Sequence, residues 1–320
     1  MHLVETSGST AVVQEDDQQT VGPLGPQRSS HRYTVDRSTL ENVASAQAYA
    51  FAPGNVVDRS PAFSVSFPFD AGHGAFLLWD DRIGQAYPLR YTGAGSVDRL
   101  SVNRYSGSFA ATAVQPAFLA QLTAAGLPVS VTFDQLRAQL AAEGTSLDQF
   151  VNTGLRQLDQ GDQRAVNDIL NRPISLTYDL ATDTSVAVEP RTGTIVSVNR
   201  ARDVVTERPE LTGLNRIYAI MTQPKYAGKP DVGTAAATLA KLSNAVPATQ
   251  VLRQTYAETA DSTATVAALA RAWANRITVW TVILPLVLGG LGVLLAATSA
   301  VWLSRGRRLG GRSRTDRTPR

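Results

Sequence analysis

The sequence predicts an α+β protein: a β-rich domain, either sandwich-like or a curved antiparallel sheet, followed by a C-terminal transmembrane helix. Alternating apolar residues predict short strands on both sides of the middle of the chain. Helical periodicity replaces this alternation between residues 131 and 171, which predicts a helical insertion. The run 277–303 carries no charge over 27 residues, enough to cross a hydrocarbon layer of about 30 Å.

The N-terminal half predicts a linker followed by strands. Residues 1–32 are rich in Gln, Ser, Gly and Pro, and apart from a short strand at 10–14 they are interpreted as a linker or a truncated remnant. The β-rich domain is expected at 33–230. Two groups of apolar residues alternate within it: Phe63, Val65, Phe67 and Phe69, and then Tyr87, Leu89 and Tyr91. Pro68 favours an edge strand or a bulge, and residues 80–84 predict a connecting turn.

Two capping boxes mark helix starts within the insertion at 131–171. Thr132 precedes Gln135 by three residues, and Ser146 precedes Gln149 by the same spacing. The first helix is expected to end at Gly144, and a third short helix is expected to end before Pro173. The apolar positions of the three helices are interpreted as a packing face: Phe133, Leu136, Leu140, Phe150, Val151, Leu155, Leu158, Val166, Ile169 and Leu170.

A β-hairpin is predicted at 185–198, with its turn at 189–193. Gly193 is expected to adopt the left-handed conformation that such a turn requires. The residues around this turn repeat an earlier pattern, because Val35-Asp36-Arg37-Ser38-Thr39 with Val43 parallels Val188-Glu189-Pro190-Arg191-Thr192 with Val196. Two related strand-turn-strand modules explain the repeat, and chance similarity remains the alternative.

The C-terminal part predicts helices that lead into a membrane anchor. Residues 231–276 are interpreted as juxtamembrane helices, one ending at Pro247 and the last starting near Asp261 or Ser262. The transmembrane helix follows at 277–303 and a basic tail at 304–320. Gly289, Gly290 and Gly292 permit close approach of a second helix, although no GxxxG spacing is present.

The charges flanking the anchor predict its orientation. Seven arginines in the tail, against Arg271 and Arg276 before the run, place the C-terminus in the cytoplasm and the large domain outside. The plasma membrane is therefore the predicted location. No apolar leader occurs at the N-terminus. Either a targeting segment upstream is missing from this sequence, which we favour, or the domain is cytoplasmic with a tail anchor.

The composition is poor in residues that carry chemistry. Cysteine is absent, and the three histidines, His2, His31 and His73, are each expected in solvated segments. The total net charge is +3 and the tail carries +6, so the other 303 residues carry a net charge of −3. A slightly acidic domain gives no reason to expect nucleic acid as a partner. Asp80 and Asp81 form a pair that could hold a cation, but no third carboxylate has a recognisable spacing. We assign no catalytic, cofactor-binding or metal-binding residue.

Four turn motifs are distinctive: Tyr33-Thr34-Val35-Asp36-Arg37, Phe67-Pro68-Phe69-Asp70, Trp79-Asp80 leading to Tyr91-Thr92-Gly93, and Val188 to Val196. They resemble an actinobacterial family of membrane proteins of unknown function that is labelled the PorA-like porin family. The resemblance covers roughly residues 30–303. It implies anchoring at both ends, with a first transmembrane helix before the Y-x-V-D-R motif. This chain departs from the family by lacking that helix and by its longer helices at 131–171.

Three functions are compatible with the sequence. The first is a non-enzymatic, membrane-anchored envelope protein that binds lipid, glycan or another envelope protein. In a sharper form, aromatic residues line a lipid-carrying sheet: Phe63, Phe67, Trp79, Tyr87 and Tyr91. The second is a hydrolase that uses Asp80, Asp81 or Glu189, although their turn positions favour solvated surface charge. The third is a pore, as the family label suggests, but an apolar helix and few barrel-type strands argue against it.

Overall fold

The computed structural model describes residues 1–20, 26–142, 144–148, 150–245 and 248–295. Gln149, Pro247, the end of the predicted anchor and the basic tail at 304–320 lie outside these residues. Over the described ranges the chain forms two antiparallel sheets and a set of helices. The predicted α+β fold class is therefore confirmed.

The N-terminal residues form a sheet, so the prediction of a linker at 1–32 was wrong. β1 (His2–Ser7), β2 (Thr10–Thr20) and β3 (Pro26–Asp36) pair in that order. The ladder between β2 and β3 is unbroken over eleven pairs. Among the side chains whose burial is described, 1–18 and 28–36, the buried ones lie near one end of this hairpin, at positions such as Ala11 and Tyr33. Because β1 is exposed along its length and the described side chains of β2 and β3 are mostly partly buried with no two-residue repeat, the sequence lacks the alternation that predicts a strand.

The main sheet has seven strands. They are β4 (Ala75–Asp80), β5 (Gln85–Val97), β6 (Leu100–Ala113), β7 (Ser130–Val131), β8 (Ile174–Val188), β9 (Ile195–Pro209) and β10 (Thr249–Ala257). The spatial order is β10-β9-β8-β6-β5-β4, with the short β7 paired to the start of β8. Neighbouring strands are antiparallel, and the path does not close into a barrel within the described residues.

A contact across the main sheet shows that it is strongly curved. Arg82, directly after β4, forms an ion pair with Asp203 of β9. Four strand spacings separate β4 from β9, about 19 Å in a flat sheet. An arginine side chain cannot reach that far, so the sheet must bend to bring the two residues together. Of the two architectures predicted, the described strands form the curved antiparallel sheet.

Two strand assignments need correction. The alternating residues 63–69 do not form a strand; Phe63 makes one isolated parallel bridge to Leu78, and Asp70 has a left-handed φ of 55°. Their alternation reflects burial of Phe63 and Phe67 in an irregular segment. In addition, β10 lies between the two helices predicted within 231–276, in a stretch for which no strand was predicted.

The helices between β7 and β10 form one compact unit, called here the helical cap. The helices of the chain are α1 (Pro116–Ala124), α2 (Phe133–Ala142), α3 (Gln160–Leu170), α4 (Thr212–Met221), α5 (Pro230–Ala245) and α6 (Ala260–Thr278). The cap consists of α2 to α5 with the short helical turns Phe150–Gly154, Leu155–Gln157 and Pro224–Tyr226. These elements share one apolar core. The helix predicted to be juxtamembrane, α5, therefore packs in the cap.

The first predicted capping box is present at the start of α2. The Thr132 N–H donates to Gln135 Oε1 at 2.8 Å, and the Gln135 N–H donates to Thr132 Oγ1 at 3.2 Å. These bonds satisfy two N–H groups that the helix itself leaves unpaired. The predicted break at Gly144 and the third helix before Pro173 are also confirmed, since Gly144 has a φ of 86° and α3 ends at Leu170.

The last helix leaves the sheet and continues as an exposed apolar rod. The Thr259 side chain caps α6, and Ala267 and Ala270 pack on the sheet beside Leu100 and Val196. After α6 the chain passes through a π-helical turn, Val279–Ile283, and remains helical to Leu295. Beyond Thr278 the described side chains are exposed. The predicted helix start near Asp261 and its run into the apolar segment are confirmed.

The repeated sequence pattern corresponds to a repeated turn. At both places the backbone carbonyl of an acidic residue, Asp36 or Glu189, accepts the N–H of the fourth residue along, at 2.8 and 3.0 Å. That fourth residue is left-handed in both turns: Leu40 has a φ of 63° and Gly193 one of 68°. Each carboxylate also accepts an N–H three residues along, from Thr39 or Thr192. The structure therefore supports related modules, and the prediction for Gly193 is confirmed.

Candidate functional site

Asp80 is neutralised by an arginine two residues away. Arg82 Nη2 lies 2.6 Å from Asp80 Oδ2, and Arg82 Nη1 bonds to Asp203. Burial raises the pKa of Asp80, but the Arg82 guanidinium outweighs that effect and holds the pKa at about 2. Asp80 is thus a buried, ionised partner of Arg82, and the expectation that it is solvated was wrong.

Asp81 belongs to a second buried cluster that joins the two sheets. Its carboxylate accepts Arg59 Nε at 2.8 Å and Arg59 Nη2 at 2.9 Å, together with the Trp79 indole N–H at 2.8 Å. His31 Nδ1 on β3 lies 2.8 Å from the same carboxylate. Burial raises the pKa of Asp81, while the bonds from His31 and Arg59 lower it further than burial raises it. Neither Asp81 nor His31 is solvated as predicted.

These partners make the aspartate pair unsuitable for a cation. The Arg59 side chain is only 1% exposed, and its guanidinium lies 4.5 Å from the centre of the Tyr33 ring. A cation beside Asp80 or Asp81 would lie next to a fixed guanidinium and be repelled by it. Among the described residues, no group of three or more His, Asp or Glu side chains could hold a metal ion.

Glu189 holds the turn between β8 and β9. It is only 4% exposed, and its Oε2 accepts the Thr192 N–H at 2.8 Å and the Thr192 hydroxyl at 2.7 Å. Its burial contradicts the prediction of solvated charge. The structure does not bring Glu189 together with Asp80 or Asp81, since each carboxylate is bound to its own local partners.

The aromatic residues proposed to line a lipid site form packed core instead. Phe67 stacks on Phe63 and on Tyr105, with ring centroids 5.8 and 5.3 Å apart. The Tyr87 hydroxyl donates to Thr184 Oγ1 at 3.0 Å within the buried face of the sheet. Tyr91 packs edge-on against Tyr105, and Trp79 bonds to Asp81. Because these rings fill the space around one another, they leave no room for a ligand there.

A cleft of about 220 Å³ lies where the helical cap meets the main sheet, and we call it the cap cleft. It is formed by the start of α2, the end of α3, the start of β8, the segment after β9 and the start of α4. Its lining residues are Phe133, Ile169, Leu170, Arg172, Pro173, Ile174, Ser175, Glu210, Thr212, Gly213, Leu214 and Arg216. About half of these are apolar, so the cleft combines an apolar floor with a polar rim.

Two arginines on the rim give the cap cleft its charge. Arg172 and Arg216 are exposed, and neither forms an ion pair with the described residues. Glu210 offsets part of this charge. An apolar floor next to free guanidinium groups suits a ligand with an apolar portion and an anionic group. The cap cleft was not predicted from the sequence, because its residues come from five separate parts of the chain and match no motif.

The fold defines the class of protein as an α+β domain carried by a membrane helix. Among the described residues one helix, Ala260–Leu295, is long and apolar enough to cross a membrane. The family model described as Porin PorA matches residues 4–301, and the chain therefore belongs to the PorA porin family. This match confirms the family that the turn motifs resemble. No curated protein matches the chain.

Proposed function

We propose that this chain is a membrane-anchored protein of the cell envelope whose cap cleft binds an anionic amphiphile of the lipid type. The cap cleft carries this proposal, because it joins an apolar floor to two arginines that have no carboxylate partner in the described part of the chain. Its volume of about 220 Å³ corresponds to roughly seven water molecules. A short stretch of acyl chain fits this space, with the headgroup at the rim.

We place the protein in the plasma membrane as a single-pass protein, in the actinobacterial envelope that the family resemblance implies. The seven arginines of the tail favour a cytoplasmic C-terminus and an external domain. Strand β8 then runs from the cap cleft at Ile174 toward the membrane at Val188, about 45 Å away. The cleft would thus face the outer part of the envelope. Nucleic acid is not among the partners we propose.

We propose binding without catalysis. The carboxylates considered for hydrolysis are each bound to protein partners: Asp80 to Arg82, Asp81 to Arg59, and Glu189 to the Thr192 N–H and hydroxyl. A general acid or base must exchange protons near neutral pH, and Asp80, with a pKa of about 2, does not. A hydrolase would lose turnover on Asp80→Asn, whereas a binding protein would keep its ligand.

Native mass spectrometry of the full chain after gentle detergent extraction tests the proposal. We expect a bound lipid or other amphiphile of defined mass. Gly213→Leu should lower its occupancy about tenfold or more, because a side chain at Gly213 enters the cap cleft, where an added Cβ already lies 3.0 Å from Ile169 Cγ2. Gly233→Leu is the matched control, since an added Cβ meets nothing within 4 Å on α5. Equal occupancy in both variants would contradict binding in the cap cleft.

Pore formation is the second candidate, and the description of the family as a porin favours it. A pore built from this chain would need an assembly of membrane helices, since the main sheet has two free edges within the described residues. Planar bilayer recordings of the purified full chain separate the two functions. Discrete conductance steps would support a pore, and a silent bilayer together with a bound amphiphile would support the binding protein.

A further inference from the structure

The membrane end of the domain combines exposed aromatic rings with unpaired cations. The turn between β8 and β9 contacts the anchor helix directly, because Arg191 Nη1 donates to Thr278 Oγ1 at 2.8 Å. Thr278 is the last residue of α6, and the exposed apolar rod begins after it. The turn is therefore held at the level where the anchor enters the membrane.

Phe69 lies beside the same turn and is 46% exposed. The residues on either side of it are fixed to the turn, since the Phe67 N–H donates to Gly193 O and the Ala71 N–H donates to Pro190 O, both at 2.8 Å. A large exposed ring at a position fixed on both sides is costly in water. It is favourable where the protein meets the interfacial layer of a bilayer.

The anchor helix presents matching chemistry on its outer face. Trp273 and Trp280 are both exposed and lie about 10 Å apart along the axis. Arg276 lies between them, with its guanidinium 4.9 Å from the centre of the Trp273 ring. Indole rings and guanidinium groups both favour the headgroup layer. The helix and the turn thus reach that layer together.

We infer that Phe69, Arg191, Trp273, Arg276 and Trp280 form a membrane-contact surface that binds anionic phospholipid headgroups. Neither Arg191 nor Arg276 forms an ion pair with a described carboxylate, so both guanidinium groups are available to phosphate. The domain would therefore stand on the bilayer in a fixed orientation, with the cap at the far end. This inference is independent of what the cap cleft binds.

Site-directed labelling of the full chain tests the surface. The chain contains no cysteine, so Phe69→Cys gives a single site for a fluorescent label. Val129→Cys is the matched control, because Val129 is 50% exposed and its carbonyl bonds to Leu176 at the opposite end of β8. Both proteins are placed in phosphatidylcholine nanodiscs whose lipids carry a quencher on the headgroup. We expect strong quenching at position 69 and little at position 129.

The role of Arg191 is measured by adding phosphatidylglycerol to the nanodiscs. Anionic lipid should increase the quenching at position 69. Arg191→Gln should reduce this increase about fivefold. Arg202→Gln, an exposed arginine further along β9, should leave it unchanged. Equally weak quenching at positions 69 and 129 would contradict the proposed membrane-contact surface. Energy transfer between copies labelled at position 69, without quenching, would assign it to a second copy and also overturn the proposal.

Discussion

Replacing Arg59 with methionine tests the buried cluster that joins the two sheets. Arg59 donates two bonds to Asp81, at 2.8 and 2.9 Å, and two more to the carbonyls of Arg32 and Tyr49, at 3.0 and 2.9 Å. Methionine fills much of the same volume but makes none of these bonds. The Asp81 side chain, only 10% exposed, would keep a charge with no full counter-ion. Removing one partner of a buried ion pair costs about 3–5 kcal/mol.

The expected loss is therefore about 3–5 kcal/mol in the free energy of unfolding. Urea denaturation of the full chain in detergent measures it through tryptophan fluorescence, because the Trp79 indole bonds to Asp81 and reports on the cluster. In a double-mutant cycle with Asp81→Asn, the double variant should lose at least about 1 kcal/mol less than the two single losses together.

A matched control separates the cluster from a general effect of losing an arginine. Arg202→Met removes an exposed guanidinium on β9, and it should change stability by no more than about 0.5 kcal/mol. If Arg59→Met also costs less than about 1 kcal/mol, the cluster does not hold the sheets together. Our interpretation of Asp81 as a structural residue would then be wrong.

Two further predictions concern the other buried carboxylate and the repeated turns. The pKa of Asp80 is about 2 in the folded state and near 3.8 in the unfolded state. Ionised Asp80 therefore adds about 2 kcal/mol to the free energy of unfolding above pH 4, and this contribution is lost as the pH falls toward 2. Acid unfolding of Asp80→Asn should lack this part of the pH dependence. Gly193→Ala should destabilise the fold strongly, because the added Cβ would lie 1.9 Å from Phe67 O. Leu40→Gly, at the equivalent left-handed position, should instead stabilise the fold by about 1 kcal/mol or less. Thermal unfolding compares the two variants; equal effects would contradict the equivalence of the turns.

Local patterns predicted the elements that local physics determines. The capping box at Thr132, the break at Gly144, the left-handed Gly193 and the start of α6 all depend on residues within a few positions of one another. Of strands β1 to β3, only the stretch 10–14 within β2 was predicted to be a strand in 1–32, because β1 is exposed and the described side chains of β2 and β3 show no alternating burial. Alternation at 63–69 was misleading, since burial there does not come from strand pairing.

The environment of the candidate residues could not be predicted from their neighbours in sequence. Asp81 is bonded to Arg59, 22 residues earlier, and Arg82 reaches Asp203, 121 residues later. Their turn positions suggested solvated charge. Arg82 is close to Asp80 in sequence, but its ion pair with Asp203 depends on the curvature of the sheet. The cap cleft is likewise formed by residues from five separate parts of the chain. Long-range packing of this kind leaves no local signature.

We propose that the C-terminal helix anchors the α+β domain in a membrane. Alkaline carbonate extraction followed by flotation on a density gradient tests it, with the full chain compared to a variant that ends at Thr278. We expect the full chain to float with the lipid and the shortened chain to stay in the soluble fraction. Flotation of the shortened chain, or release of the full chain by carbonate, would contradict it.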